Sequence, residues 1–170
     1  PTPSSAASDV YKRQIKMATR ARIGIENQDG TITSSYHHWD GYPAGLGFKL
    51  IQHYNNRDKL AFAISLGDAS NWHENVEPVG DHDFDTPQEN VNVYYGRDRG
   101  ENDVGPRTFA NLEEFSNMYD GAGEEYAYVM RLDGTYTMYG RYDGTCIHDA
   151  EDDIVLSRAA MIAMYRKEAA

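Results

Sequence analysis

The segment RARIGIENQDGTITSSYHHW, residues 20–39, decides the fold because two extended runs flank its Asp29-Gly30 step. Asp-Gly accommodates positive φ angles, and between extended runs it is the strongest short signal for a β-hairpin. The sequence therefore predicts strands over residues 20–27 and 31–39. Side chains alternate along a strand, so His37 and His38 are expected on opposite faces of the sheet.

A second hairpin is predicted where residues 124–132 and 135–142 flank Asp133-Gly134, and a further strand is predicted over residues 91–95. Helical spacing and capping residues predict four helices: residues 44–56, residues 57–66, one that begins at Asn111, and a last one capped by Asp149 or Asp152 with Ile154, Met161 and Tyr165 buried. These elements predict one α+β domain with a mainly antiparallel sheet of about five strands and about four helices.

Residues 4–14 resemble the conceptual translation of a sequencing adapter, which would make Met17 the natural start of a metagenomic gene. We therefore expect residues 1–16 to be a disordered, non-native tail and residues 17–170 to be the domain. Residues 68–90 show no clear period, and a loop of that length is either functional or disordered.

The acidic composition excludes some classes of function. The net charge is −11, and it becomes −13 without residues 1–16, which carry three basic side chains and one acidic one. A sequence reader of nucleic acid needs a basic face, and so does a protein that binds anionic membranes. The single cysteine, Cys146, leaves no intrachain disulfide. No apolar run approaches the length of a membrane span. We therefore expect a cytoplasmic protein without a membrane partner.

The motif HHWDGYP, residues 37–43, crowds polar and aromatic side chains into a strand end. The candidate ligand-binding residues of this motif are His38, Trp39, Asp40 and Tyr42. The structural alternative is a turn in which Asp40 reverses the chain and the following proline begins a helix. The histidines have no metal-ligand spacing, so we predict no metal, no cofactor and no catalytic residue.

The motif YYGRDRGE, residues 94–101, has glycines around two arginines. We expect a loop in which Arg97 and Arg99, together with Tyr95, bind a phosphate or carboxylate. Asp98 and Glu101 are also candidates, although they could instead pair with the arginines in a self-contained ion-pair network. Because strand ends at one sheet edge form clefts, the two motifs are expected side by side.

These motifs resemble a family of small, mostly uncharacterised accessory proteins of bacteriophages and plasmids. The matching segments are residues 19–26, HWDGY at 38–42, LGD at 66–68 and YGRDRGE at 95–101. The family carries a cysteine where this chain has His37, so a thiol nucleophile there is not expected. The resemblance implies a viral accessory protein that acts in a host cell, and it implies no particular activity.

Three functions remain open from the sequence. The first is binding of a small anionic ligand, nucleotide-like or phosphorylated, with counter-defence as one use for a phage. The second is an acidic protein that inhibits a host enzyme by direct interaction. The third is a small metal- or acid/base-dependent hydrolase that uses His38 and Asp40. The expected partner is thus a small anionic ligand or a host protein, and a homo-oligomer stays open.

Overall fold

The hairpin predicted around Asp29-Gly30 forms, and it lies at the centre of the sheet. In a computed structural model, which describes residues 18–117, 123–142, 145–146 and 154–156, β1 (Ala21–Glu26) pairs antiparallel with β2 (Ile32–His37). Gly30 adopts a φ of +86°, and the Asp29 carboxylate accepts hydrogen bonds from the N–H and hydroxyl of Thr31. The Asp-Gly step therefore forms the turn through the positive φ of its glycine, as predicted.

Seven further strands complete a mixed sheet. They are β3 (Ala69–Asn71), β4 (Val93–Tyr94), β5 (Arg107–Phe109), β6 (Tyr126–Met130), β7 (Tyr136–Tyr142), β8 (Thr145–Cys146) and β9 (Ile154–Leu156). The main order is β4-β3-β2-β1-β6-β7-β8, with β5 on β2 and β9 on β7. Only β1–β6 and β2–β3 are parallel among the described pairs. The α+β class and the mainly antiparallel sheet are confirmed, with more strands than the five expected.

Four short helices accompany the sheet: α1 (Phe48–His53), preceded by a π-helical turn over Pro43–Gly47, α2 (Arg57–Ser65), α3 (Tyr95–Arg99) and α4 (Leu112–Ser116). The Asn111 side chain accepts the Glu114 N–H, which confirms the predicted start of α4. The Asn56 side chain caps α2 in the same way.

The sheet has two covered faces. On the first face, the π-helical turn, α1 and α2 pack Leu46, Leu50, Leu60 and Ile64 against alternate residues of the central strands, such as Ile23. On the second face, a smaller cluster covers one end of the sheet, and its members are Ile32, Phe109, Phe115, Ala127, Val129 and Tyr139. The remainder of the second face, towards the end of β2, carries the side chains of Ser34 and Tyr36.

Three predictions about elements need correction. The helix predicted over residues 44–56 ends at His53. Ile154 lies in β9, because an Ile-Val-Leu run pairs readily as a strand, here with β7; Met161 and Tyr165 lie outside the described residues. The predicted loop at Gly96 is instead the helix α3, which ends because Gly100 takes a φ of +72°.

Candidate functional site

The two motifs meet at one end of the sheet, as predicted. The His38 N–H donates to the Ala69 carbonyl, and Ala69 pairs with Tyr94 on the next strand. Two strand spacings separate the end of β2 from β4, which is about 10 Å. The HWDGY and YGRDRGE motifs therefore border the same surface.

The two adjacent histidines point to opposite faces, also as predicted. The His37 side chain is buried on the first face, where its Nε2 accepts the Trp72 N–H at 3.1 Å. His38 continues the second face and lies 2.7 Å, at Nδ1, from the Tyr36 hydroxyl. Only His38 is placed to meet a ligand on the second face.

An aromatic ledge crosses this part of the second face. It consists of Trp39, His38, Tyr36, Tyr95 and Phe84. The His38 ring meets Trp39 edge-on at 4.8 Å, and the Phe84 and Tyr95 rings lie 5.6 Å apart. Tyr95 also raises the pKa of the Tyr36 hydroxyl, after the larger effect of its burial, so the two hydroxyls lie in the same region of this face. Such a row offers a planar apolar surface with hydrogen-bonding edges.

The polar groups of the ledge are neutral near pH 7. Burial raises the pKa of Tyr36 to about 12, and the guanidinium of Arg20 opposes that rise. Burial and Arg20 together lower the pKa of His38. If Tyr36 donates its hydroxyl to Nδ1, the neutral imidazole carries its proton on Nε2 and offers that N–H to a ligand. The ledge thus offers neutral donors beside the cationic Arg20, and the carboxylates of Glu124 and Asp68 also act on the Tyr36 hydroxyl.

Arg99 supplies a second positive charge at the other end of the ledge. Its guanidinium lies 4.1 Å from the Phe84 ring centre and 5.0 Å from that of Tyr95. It also donates to Glu101 at 2.8 Å, and both side chains remain about 40% exposed. A guanidinium that lies over two rings and remains partly exposed can still contact an anion, so Arg99 stays a candidate ligand contact.

Arg97 has a different position and role from Arg99. It donates to the carbonyls of Val76 and Asn92 at 2.6 and 2.7 Å and to the Asp98 carboxylate at 2.8 Å. Asp98 also accepts the Tyr94 N–H and lies 3.3 Å from His82. These contacts match the ion-pair alternative.

This network holds the segment between β3 and β4 in place. Burial alone would raise the pKa of Asp98, but the hydrogen bonds from Arg97 and from the Tyr94 N–H outweigh it and hold the pKa below its usual value. The Phe84 N–H donates to the Asp98 carbonyl, which places the Phe84 ring on the ledge. The segment between β3 and β4, for which the sequence shows no clear periodicity, is therefore fixed to α3, because Arg97 donates hydrogen bonds to its backbone carbonyls.

Asp40 and Tyr42 lie on the other side of the motif from His38. Asp40 adopts a φ of +56° and turns the chain. The carboxylate of Asp40 influences the pKa of Tyr42, Lys49 and His73, whereas His38 responds to Arg20. The predicted set thus divides between two faces, and this separation gives no support to a His38–Asp40 acid/base pair.

The helix that follows the motif uses its first amides internally. The Gly45 N–H donates to the Tyr42 carbonyl, and the Leu46 N–H donates to the Asp40 carbonyl. An anion at this helix start would have to compete with those bonds, so we place no ligand there.

Sequence reasoning missed three members of the site: Arg20, Tyr36 and Phe84. Tyr36 shows a signal in retrospect, since it lies two residues before His38 and so shares its face. Phe84 has no such signal, because its place depends on how Arg97 holds a long irregular segment. Arg20 precedes β1, and only the strand pairing brings it beside Tyr36 and His38.

No family model, curated protein or solved structure matches this chain. The resemblance to phage accessory proteins therefore stays a prediction based on the motifs. Within the described residues, no helix is long and apolar enough to cross a bilayer. The same part of the chain contains no group of three or more His, Cys, Asp and Glu side chains that could hold a metal ion.

Proposed function

We propose that this protein binds a small anionic, nucleotide-like ligand on the aromatic ledge. The observation that carries the proposal is the pair of ring groups on one face, Trp39–His38–Tyr36 beside Arg20 and Tyr95–Phe84 beside Arg99. A planar base can stack on such a row, and base–aromatic stacking contributes about 1–3 kcal/mol per base. Arg20 and Arg99 supply the charge-assisted hydrogen bonds that a phosphate group prefers.

The ledge also accounts for binding by an acidic protein. A net charge of −11 repels anions at long range, and salt screens that repulsion beyond about 10 Å. Short-range contacts with Arg20 and Arg99 then decide the affinity. A compact ligand with one phosphate group suits this arrangement better than a polyanion, which would extend onto acidic surface. The cytoplasmic, phage-type setting is part of the same proposal.

A second candidate, an acidic inhibitor of a host enzyme, has a specific observation in its favour. The segment from residue 74 to 90 carries six acidic side chains and no Lys or Arg, and all six are exposed: Glu74, Glu77, Asp81, Asp83, Asp85 and Glu89. Because Arg97 and Asp98 fasten this segment, its charges form an ordered array that could meet a basic protein surface. Substituting these acids with amides should abolish such inhibition and leave ligand binding on the ledge intact.

Tryptophan fluorescence provides a direct test of ligand binding. The chain has two tryptophans; Trp39 is 38% exposed on the ledge and Trp72 is fully buried. A stacked base should therefore quench Trp39 selectively. We expect adenosine or guanosine monophosphate to quench this fluorescence with saturation, and the nucleoside or inorganic phosphate alone to bind at least tenfold more weakly.

Two arginine variants locate the binding. Arg99→Gln should weaken the nucleotide about tenfold to a hundredfold, since one charge-assisted contact contributes about 1.5–3 kcal/mol. Arg107→Gln is the matched control, because Arg107 also lies over a ring, that of Phe109, which belongs to the smaller apolar cluster and not to the ledge. Equal affinities of the two variants, or no saturable quenching by any nucleotide tested, would contradict the proposal.

A further inference from the structure

His82 lies in the irregular segment between β3 and β4, and its side chain is only 1% exposed. The Gln88 N–H donates to its Nδ1 at 2.9 Å, so that nitrogen carries no proton. The neutral imidazole therefore carries its proton on Nε2, which lies 3.3 Å from the Asp98 carboxylate of α3 and donates to it. The two ring nitrogens thus join the segment to α3 in one defined tautomer.

Gln88 connects His82 to the exposed end of the segment. The Gln88 side-chain amide accepts the Val79 N–H at 2.8 Å and donates to the Val79 carbonyl at 2.7 Å. Val79 is 86% exposed, so apolar packing does not hold it in place. The Gln88 carbonyl accepts the Val91 N–H at a longer 3.3 Å. The pairing of Gln88 with Val79 therefore depends largely on the hydrogen bond from Gln88 to His82.

Charged groups of α3 and of the segment itself face the His82 imidazole. On α3, the Arg97 guanidinium lies 3.4 Å from Nε2 and donates to the Asp98 carboxylate. In the segment, hydrogen bonds from Thr86 hold the pKa of the Asp83 carboxyl below its usual value, and His82 adds a smaller effect from nearby. The two carboxylates favour a charged imidazole and Arg97 opposes it. The main structural cost of a proton on His82 is thus the hydrogen bond at Nδ1.

We propose that protonation of His82 is a pH-sensitive switch that releases Gln88 and Val79 from their fixed positions. Histidine is the side chain that changes charge near neutral pH. A proton on Nδ1 points at the Gln88 N–H, so two donors face each other and the hydrogen bond is lost. The charged imidazole keeps its Nε2–H on Asp98, where the bond becomes stronger because both partners are charged. Arg97 continues to hold the base of the segment through its main-chain hydrogen bonds.

The consequence of the switch is a change in the acidic surface formed by residues 74–90. With His82 neutral, both ends of this segment are fixed; with His82 charged, the end around Val79 becomes mobile. A mobile surface loses conformational entropy when it binds a partner, so its affinity is lower. The switch does not depend on the proposed nucleotide binding, and it would regulate any partner that binds the acidic segment.

Amide hydrogen exchange followed by NMR on the full chain tests the switch between about pH 8 and pH 5. The imidazole signals of His82 report its charge, and the protection factor of the Gln88 amide, corrected for the intrinsic pH dependence of exchange, reports the hydrogen bond. We expect the Gln88 protection factor to fall at least about tenfold as His82 takes up its proton, because one hydrogen bond is lost. The Phe84 amide, which donates to the Asp98 carbonyl, is the internal control and should keep its protection.

His82→Asn is the matched variant, because the asparagine oxygen can accept the Gln88 N–H in place of Nδ1 but takes up no proton. Its Gln88 protection factor should stay constant over this pH range. His53→Asn on α1, which removes a titrating histidine elsewhere, should keep the response of the unmodified protein. The proposal is overturned if His82 becomes charged while Gln88 stays protected, or if His82 remains neutral down to about pH 5. It is also overturned if Phe84 loses as much protection as Gln88, or if His82→Asn responds like the unmodified protein.

Discussion

Removing Arg97 should destabilise the fold far more than removing Arg99, although the two residues share one motif. In Arg97→Ala the Asp98 carboxylate, 3% exposed, loses its cationic partner, and two backbone carbonyls lose a donor. Breaking a buried ion pair costs about 3–5 kcal/mol. Because the Arg97 side chain is 23% exposed, we take a lower figure of about 2–3 kcal/mol.

Arg99→Ala removes a more exposed interaction. The Arg99 side chain is 45% exposed and that of Glu101 is 40% exposed. Ion pairs this exposed contribute at most about 1 kcal/mol to stability. For a domain of this size 1 kcal/mol corresponds to about 3–4 °C in Tm. We therefore expect Tm to fall by about 6–12 °C in Arg97→Ala and by less than about 4 °C in Arg99→Ala.

Thermal melting of the two variants, followed by circular dichroism, gives both shifts, and nucleotide titration of the folded proteins gives the functional effect. Arg99→Ala should lose more affinity per folded molecule than Arg97→Ala, because Arg97 reaches the ledge only through the segment that positions Phe84. An Arg97→Ala protein that melts within about 2 °C of the unmodified protein and no longer binds nucleotide would refute the assignment of Arg97 to the fold.

Two glycines and one histidine provide further predictions. Gly67→Ala should be much more destabilising than Gly30→Ala in urea unfolding: both have a φ of +86°, which costs an alanine about 1–2 kcal/mol, but only at Gly67 would the Cβ collide with the Val104 carbonyl. Equal losses in the two variants would contradict the close packing at Gly67. Burial lowers the pKa of His37 to about 3, so its contribution to stability is complete above about pH 6.5 and declines as the pH falls towards 3, by up to about 1.4 kcal/mol per unit. Between pH 6.5 and 5, the free energy of unfolding of His37→Gln should therefore fall by about 1.6 kcal/mol less than that of the unmodified protein. Equal losses would show that His37 takes up a proton in the folded state.

The hairpins and the second helix were predictable because local signals agree with the final packing. Asp29-Gly30 and Asp133-Gly134 each make a turn in which the aspartate accepts from a threonine two residues on. The helix predicted over residues 57–66 forms as Arg57–Ser65, and Gly67 follows it with a positive φ. In these places residues that are close in the sequence determine the local conformation.

The candidate site was only partly predictable, because strand pairing determines which residues of the two motifs lie on the same face of the sheet. Alternation placed His37 and His38 on opposite faces, and proximity of the motifs followed from adjacent strand ends. The different roles of Arg97 and Arg99 could not be predicted, since they depend on where the carbonyls of Val76 and Asn92 lie. The prediction of a helix that includes Ile154 was wrong for a related reason. Acidic residues before Ile154–Leu156 suggested a helix start, but pairing with β7 determines the conformation of this segment.

Native mass spectrometry of freshly purified protein tests most directly whether the aromatic ledge holds a small anionic ligand. We predict a mass excess of one nucleotide-sized molecule, lost on denaturation, for the unmodified protein and for Arg107→Gln, and its absence from Arg99→Gln. The bare chain mass for all three proteins, or an equal excess in all three, would contradict ligand binding at the ledge.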